Sequence, residues 1–132
     1  MGSASAQYLL KGHWVRSKQI TEADTGTTKA ILNVPAGTLI PPHGIVIVVE
    51  TLFAGGTPSL DIGDGSDTDG WIDTTAITEA STGTYADVDA AYAVTGKYYS
   101  AADTIDAVVS ASLTAGEAYV FAYLLDVSDV MD

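Results

Sequence analysis

The sequence predicts an all-β protein, an antiparallel β-sandwich of jelly-roll type folded as a single domain. Three observations predict it. Ile45-Val46-Ile47-Val48-Val49 places β-branched side chains at five successive positions, and two heavy atoms on Cβ fit a pleated strand better than a helix. Thr104–Ala111 alternates with a period of two, the spacing that separates the two faces of a strand. Turn-forming Gly, Pro and Asp residues divide these short runs, and no run sustains a 3.6-residue apolar period. Short strands with turn signals between them stack as sheet on sheet.

Taken in order, Tyr8–Val15 reads as a first strand and Lys29–Val34 as a second, with the polar stretch Ile20–Thr28 turning at Asp24-Thr25-Gly26. Val34-Pro35-Ala36-Gly37 fits a type I turn, with proline second and glycine fourth. Pro41-Pro42 excludes a helix ahead of the central strand at Ile45–Val49. Gly55-Gly56-Thr57-Pro58 breaks that strand and Ser59–Ile62 resumes it. An acidic glycine loop, Gly63–Gly70, follows and is closed by Trp71-Ile72-Asp73. Thr74–Ala93 stays open: Thr82-Gly83-Thr84 marks a loop, and Ala86–Ala93 fits either a single helical turn or an irregular crossing. Gly96–Tyr99 reads as a short strand. In Thr104–Ala111, residues Ile105, Ala107, Val109 and Ala111 share a face. Ala115-Gly116 turns the chain into the last strand. Its faces are Tyr119, Phe121, Tyr123, Leu125, Val127 and Ala118, Val120, Ala122, Leu124.

Length and composition bound the function. A chain of 132 residues fits one domain that buries about two-thirds of its unfolded surface. Residues 8–132 are expected to form it, with 1–7 a flexible start: Met1–Ala6 is small and polar and lacks the apolar core of a secretion signal. No apolar run approaches the ~18 residues of a membrane span. With no cysteine, disulfides and thiolate metal sites are excluded. The net charge is −12, and it is unevenly placed. Residues 1–34 carry Lys11, Arg16, Lys18 and Lys29 against Glu22 and Asp24, whereas residues 35–132 carry Lys97 against fifteen Asp and Glu. So acidic a body repels phosphate backbones, which argues against nucleic acid as a partner.

One pattern reaches beyond fold class. The strands Ile45–Val49 and Ala118–Val127 are apolar on both faces, whereas a two-layer sandwich wets one face of each sheet. With little helix in the chain, a second copy is the expected cover, which predicts a homo-oligomer with Val46, Val48, Val120 and Leu124 as candidate interface residues.

The chemical motifs are weak. Asp24-Thr25-Gly26 matches the catalytic triplet of aspartic proteases, in which two carboxylates share a proton. Here Thr21-Glu22-Ala23 precedes it and Thr27-Thr28 follows, the setting of a solvated turn. Asp64, Asp67, Asp69 and Asp73 invite a calcium reading, because hard cations take clustered carboxylates. An EF-hand register would put Gly65 at the first ligand position and Ala76 at the last, so that pattern fails; an exposed turn rich in Asp and Gly is the favoured reading of the run, with a calcium site of another kind left open. His13 and His43 are the only histidines and read as surface or turn residues. There is no nucleophile elbow, phosphate loop or dinucleotide fingerprint. The expectation is a protein without enzymatic activity, cofactor or metal.

Val34–Thr38, Leu60–Asp73 and Ala102–Ile105 resemble segments of small β proteins of tailed bacteriophages. Those proteins are similar in length and resemble capsid decoration (cement) proteins and related head or fibre appendages. The resemblance spans residues 28–127 and rests on turn and strand patterns. It implies a jelly-roll-like sandwich, usually a trimer, on the outer capsid surface where capsomers meet, with the major capsid protein as partner and no catalytic residues. The expected function is then to reinforce a shell by bridging neighbouring capsid subunits. Residues 8–20 are the expected docking arm, with Lys11, Arg16 and Lys18 as capsid contacts. An expectation of a different class is a carbohydrate- or receptor-binding appendage that uses Trp71, Tyr85 and the acidic loop, with calcium.

Overall fold

A computed structural model describes residues 10–131 of the chain. It contains ten strands: β1 (Lys11–Arg16), β2 (Ile20–Thr21), β3 (Thr28–Val34), β4 (Thr38–Ile40), β5 (Ile45–Ala54), β6 (Leu60–Gly63), β7 (Gly83–Tyr85), β8 (Lys97–Tyr99), β9 (Asp103–Val109) and β10 (Ala115–Asp126). Two short helices, α1 (Ala91–Thr95) and α2 (Ser128–Met131), complete the fold. The strands form two antiparallel sheets packed as a single-domain sandwich, as the alternating pattern predicts.

The larger sheet is built around β10. One flank of β10 pairs with β1 and β2, the other with β5 and β4; β5 then pairs with β7, and β4 with β8. β1 and β2 follow one line, interrupted at Ser17. The buried Ser17 holds the join: its N–H donates to the Val120 carbonyl (2.8 Å), and its hydroxyl accepts from the Val120 N–H (2.9 Å). β4 and β5 follow a second line, interrupted at Pro41-Pro42-His43-Gly44, where neither proline has an N–H for the ladder. His43 takes φ 60° there, and the Gly44 N–H closes the turn on the Pro41 carbonyl at 2.9 Å.

The smaller sheet has the order β3-β9-β6. Its register slips between Ala30 and Leu32, so Ile31 and Leu32 are both buried in succession, as a bulge allows. The core lies between the sheets. Ile20, Ile45, Ile47, Val49 and Val120 enter from the larger sheet, and Val34, Leu60, Ile62, Ile105 and Val109 from the smaller. Each such buried side chain stabilises the fold by about 1.5–3 kcal/mol relative to exposure.

Several sequence expectations change. The first strand covers Lys11–Arg16 rather than Tyr8–Val15; Tyr8, Leu9 and the expected flexible start at residues 1–7 lie outside the described residues. Lys11–Arg16 pairs with β10 along its whole length, so this part of the expected docking arm is an edge strand. β4 was hidden between two proline turns. The open stretch Thr74–Ala93 resolves into a 3-10 turn at Thr74–Ala76, strand β7 and the start of α1. Ala111 leaves the alternation and is exposed, because β9 ends at Val109. Among the described residues, no helix is long and apolar enough to cross a membrane.

Candidate docking surface

The outer faces of the two sheets differ. On the smaller sheet, the positions that alternate with buried Ile62, Ile105 and Ala107 include Asp61, Thr104 and Asp106, polar side chains that are half-buried. On the larger sheet, the outer positions of β10 are Tyr119, Phe121, Tyr123 and Leu125, each half-buried. Pairing fixes their neighbours. Tyr119 lies beside Val48, Phe121 between Val46 and Arg16, and Leu125 between Leu39 and Gly12. Tyr123 lies beside Trp14, ring centroids 5.5 Å apart and 66° inclined, an edge-to-face pair worth about 0.5–1.5 kcal/mol beyond area burial. A Cβ at Gly12 would overlap the Tyr123 hydroxyl, so glycine there lets the ring lie across β1.

Trp14 remains 56% exposed, although an indole is among the side chains most favoured at protein contacts. The guanidinium of Arg16 sits over the Tyr119 ring, 4.5 Å from its centroid, and anchors the only basic side chain among these outer positions. The result is a contiguous apolar and aromatic face with a cation at one edge. Contiguous apolar faces occur at protein contacts, membrane contacts and ligand grooves.

The five cations separate into two groups. Lys97 Nζ pairs with Asp64 at 2.6 Å and Lys29 Nζ with Asp24 at 3.0 Å. Among the described residues, Lys11, Arg16 and Lys18 enter no ion pair, and all three are exposed on β1 or just beyond it. Arg16 and Lys18 also flank a shallow hollow of about 470 Å³ between the β1 edge and residues Ala30–Asn33 of β3.

The expected interface residues divide. Val46 and Val48 lie on the outer face, half-buried. Val120 is a correction: it is fully buried in the protomer's own core, because residues 118, 120 and 122 point inward. Leu124 shares that inward parity and packs against the core.

The acidic loop also divides. Asp64 is fully buried. It accepts hydrogen bonds from Lys97 Nζ, the Tyr99 hydroxyl (2.9 Å) and the N–H groups of Ser66 (2.9 Å) and Asp67 (3.1 Å). Burial pushes its pKa up, but these donors outweigh burial and hold the carboxyl below its ordinary value. Trp71 is buried, and its Nε1–H donates to the Tyr99 hydroxyl at 3.1 Å. This removes Trp71 as a sugar-stacking platform; it caps the core above the Asp64–Lys97 pair. Tyr85 is half-buried and packs on the core, with its hydroxyl donating to the Ser81 carbonyl at 3.3 Å.

Asp67, Asp69 and Asp73 line a hollow of about 550 Å³ with Asp87, Val88 and Asp89. Asp69 is pushed up to about 6 by the nearby carboxylates of Asp67 and Asp73, which favour its protonated form by hydrogen bonding and by their negative charge. Asp73 is held below its usual range by the N–H and hydroxyl of Thr75. Asp87 is buried but satisfied, accepting from the N–H groups of Asp73, Asp89 and Ala90. Among the described residues, no group of three or more carboxylates and histidines has the spacing to hold a metal ion.

The Asp24 carboxylate accepts from the Thr21 N–H (2.8 Å) as well as pairing with Lys29. Thr21 and Asp24 thus form a reciprocal cap on a surface 3-10 turn, which is a structural use of the triplet.

No protein-family model matches the chain, and no curated protein matches it. Two solved structures contain chains of the same fold. One is a chain in the capsid asymmetric unit of cyanophage Pam1, with a TM-score of 0.61 and 15% identity over 95% of this chain and 96% of that one. The other is a chain in the acid-stable capsid of the Helicobacter pylori bacteriophage KHP30, with a TM-score of 0.50 and 13% identity over 87% and 93%. At these identities the likeness is one of fold, and it spans each chain nearly end to end.

Proposed function

We propose that this chain is a structural virion protein that decorates the outer surface of a phage capsid and bridges neighbouring capsid subunits. One observation carries the reading: the larger sheet turns a face of Val46, Val48, Phe121, Tyr123 and exposed Trp14 outward, and no element among the described residues packs over it. The fold shared with chains of two phage capsids supports the setting. In it the partners are the major capsid protein and other copies of this chain, in a trimer. The surface around β1 makes the contact, and Lys11, Arg16 and Lys18 supply attraction to acidic neighbours. Small contacts from each protomer add through avidity, so a modest area per copy suffices to clamp a joint.

The test is incubation with capsids assembled without the protein. Saturable binding, with a rise in the temperature at which the shells come apart, is the expected result. Shells that stay bare at every ionic strength overturn the proposal. The glycan-binding alternative loses its anchor, because Trp71 is buried against Tyr99.

A further inference from the structure

The larger sheet presents oppositely charged edges. β1 forms one edge, because Phe121 pairs with Arg16 on one flank and with Val46 on the other. β7 lies beyond β5 on the opposite side, and Ala86–Ala90 continue directly from it. The β1 edge carries Lys11, Arg16 and Lys18 without ion-pair partners among the described residues. The far edge carries the acidic hollow, with Asp69 and Asp89 at its rim and Val88 64% exposed beside them.

We propose that the β1 edge, with the aromatic face behind it, docks against the acidic β7-side edge of a second copy of this chain. The proposal rests on reading that face as a protein contact, and it names the neighbour. Charge complementarity selects the occupant. A two-fold contact of the β1 surface with itself brings Arg16 and Lys18 towards their own copies, and like charges disfavour it. The same surface against the acidic edge brings three cations to a cluster of aspartates. Apolar groups stand on both sides, Trp14 on one and Val88 on the other, and supply the dehydrated centre that a stable contact needs. Such a contact joins two different patches. It is heterologous, so copies related by a closing rotation form a ring.

Charge reversal tests this in solution without shells. Arg16→Glu with Lys18→Glu sets acid against acid; Asp69→Lys with Asp89→Lys sets base against base. Each pair of changes should reduce the light-scattering mass to that of a monomer at micromolar concentration, raising the dissociation constant roughly 100-fold. All four changes in one chain restore opposite charges across the contact and should restore the oligomer. Thermal melts of each variant confirm that the protomers fold. Arg16→Ala with Lys18→Ala serves as a milder pair, expected to weaken association and flatten its salt dependence. A monomeric wild type, single-edge reversals that keep the oligomer mass, or a fourfold variant that stays monomeric each overturn the inference. Shell binding measured in parallel separates it from the proposed function. If the Arg16 and Lys18 reversal abolishes shell binding but leaves the mass unchanged, the surface belongs to the shell and only this inference falls. If the wild type assembles but never binds shells, only the functional proposal falls.

Discussion

Removing Lys97 should uncover a buried charge, and the cost can be worked from the geometry. Lys97 Nζ lies 2.6 Å from Asp64 Oδ2, and the Asp64 side chain has no exposed surface while that of Lys97 keeps 24%. Lys97→Met retains the stem that packs near Tyr92 and Tyr99 but deletes the cation. Breaking a buried pair costs about 3–5 kcal/mol. The lower end applies here, because the Tyr99 hydroxyl and two backbone N–H groups still face the carboxylate. For a chain of this size about 1 kcal/mol moves Tm by roughly 3–5 °C, so Lys97→Met should lower Tm by about 10 °C or more at pH 7. The pH dependence has a definite sign. In the wild type the Asp64 pKa is lowered in the fold, so its stabilisation is present above the unfolded value near 3.8 and is lost as pH falls below it. Without Lys97, burial dominates and the folded pKa rises. The variant then loses stability as pH rises through the new value and recovers some of it on acidification. Thermal unfolding followed by circular dichroism between pH 4 and pH 8 reads both effects. A loss at pH 7 no larger than that of the exposed Lys18→Met control, about 0.5 kcal/mol, would refute the reasoning.

Two further outcomes follow from the same structure. Asp67→Asn with Asp69→Asn should leave folding intact and be neutral or mildly stabilising at pH 7, with calcium shifting Tm little in either protein. Because the Asp69 pKa is raised to about 6, its favourable contribution is present at low pH and lost as pH rises through that value. The wild type should therefore gain on the double variant between pH 7 and pH 5, in melts at matched ionic strength; a calcium-dependent rise of several degrees that the double change abolishes would overturn this. Val120→Asp should prevent folding, since it places an unpaired charge in the core at a cost of several kcal/mol. Val46→Asp, on the outer face, should leave the protomer melt nearly unchanged while cutting association with shells or with other copies, and equal melts for the two variants would contradict the assignment of faces.

Local rules read much of this protein correctly, and their failures have physical causes. β-Branched runs and period-two alternation located β3, β5, β6, β9 and β10, since these depend on side chains near in sequence. The doubly apolar character of β5 and β10 announced an uncovered face. Alternation alone could not say which face, because a period of two assigns residues to sides without naming the inner one. That choice came from packing against β3, β9 and β6, and it sent Val120 inward and Val46 outward. Trp71 and Trp14 show the same limit. Each follows a turn or sits in a short strand, yet Trp71 is buried on Tyr99 and Trp14 is exposed on Tyr123. The aspartates divide for a related reason. Asp64 differs from Asp67 and Asp69 only because β8, thirty-three positions away, brings Lys97 and Tyr99 to it. The amino-acid sequence by itself determined the strand content, the charge asymmetry and the apolar character of both faces of β5 and β10. Only the tertiary structure decided which side chains meet across the sheets, and hence that Arg16 and the aromatic face share one side of the β1 edge.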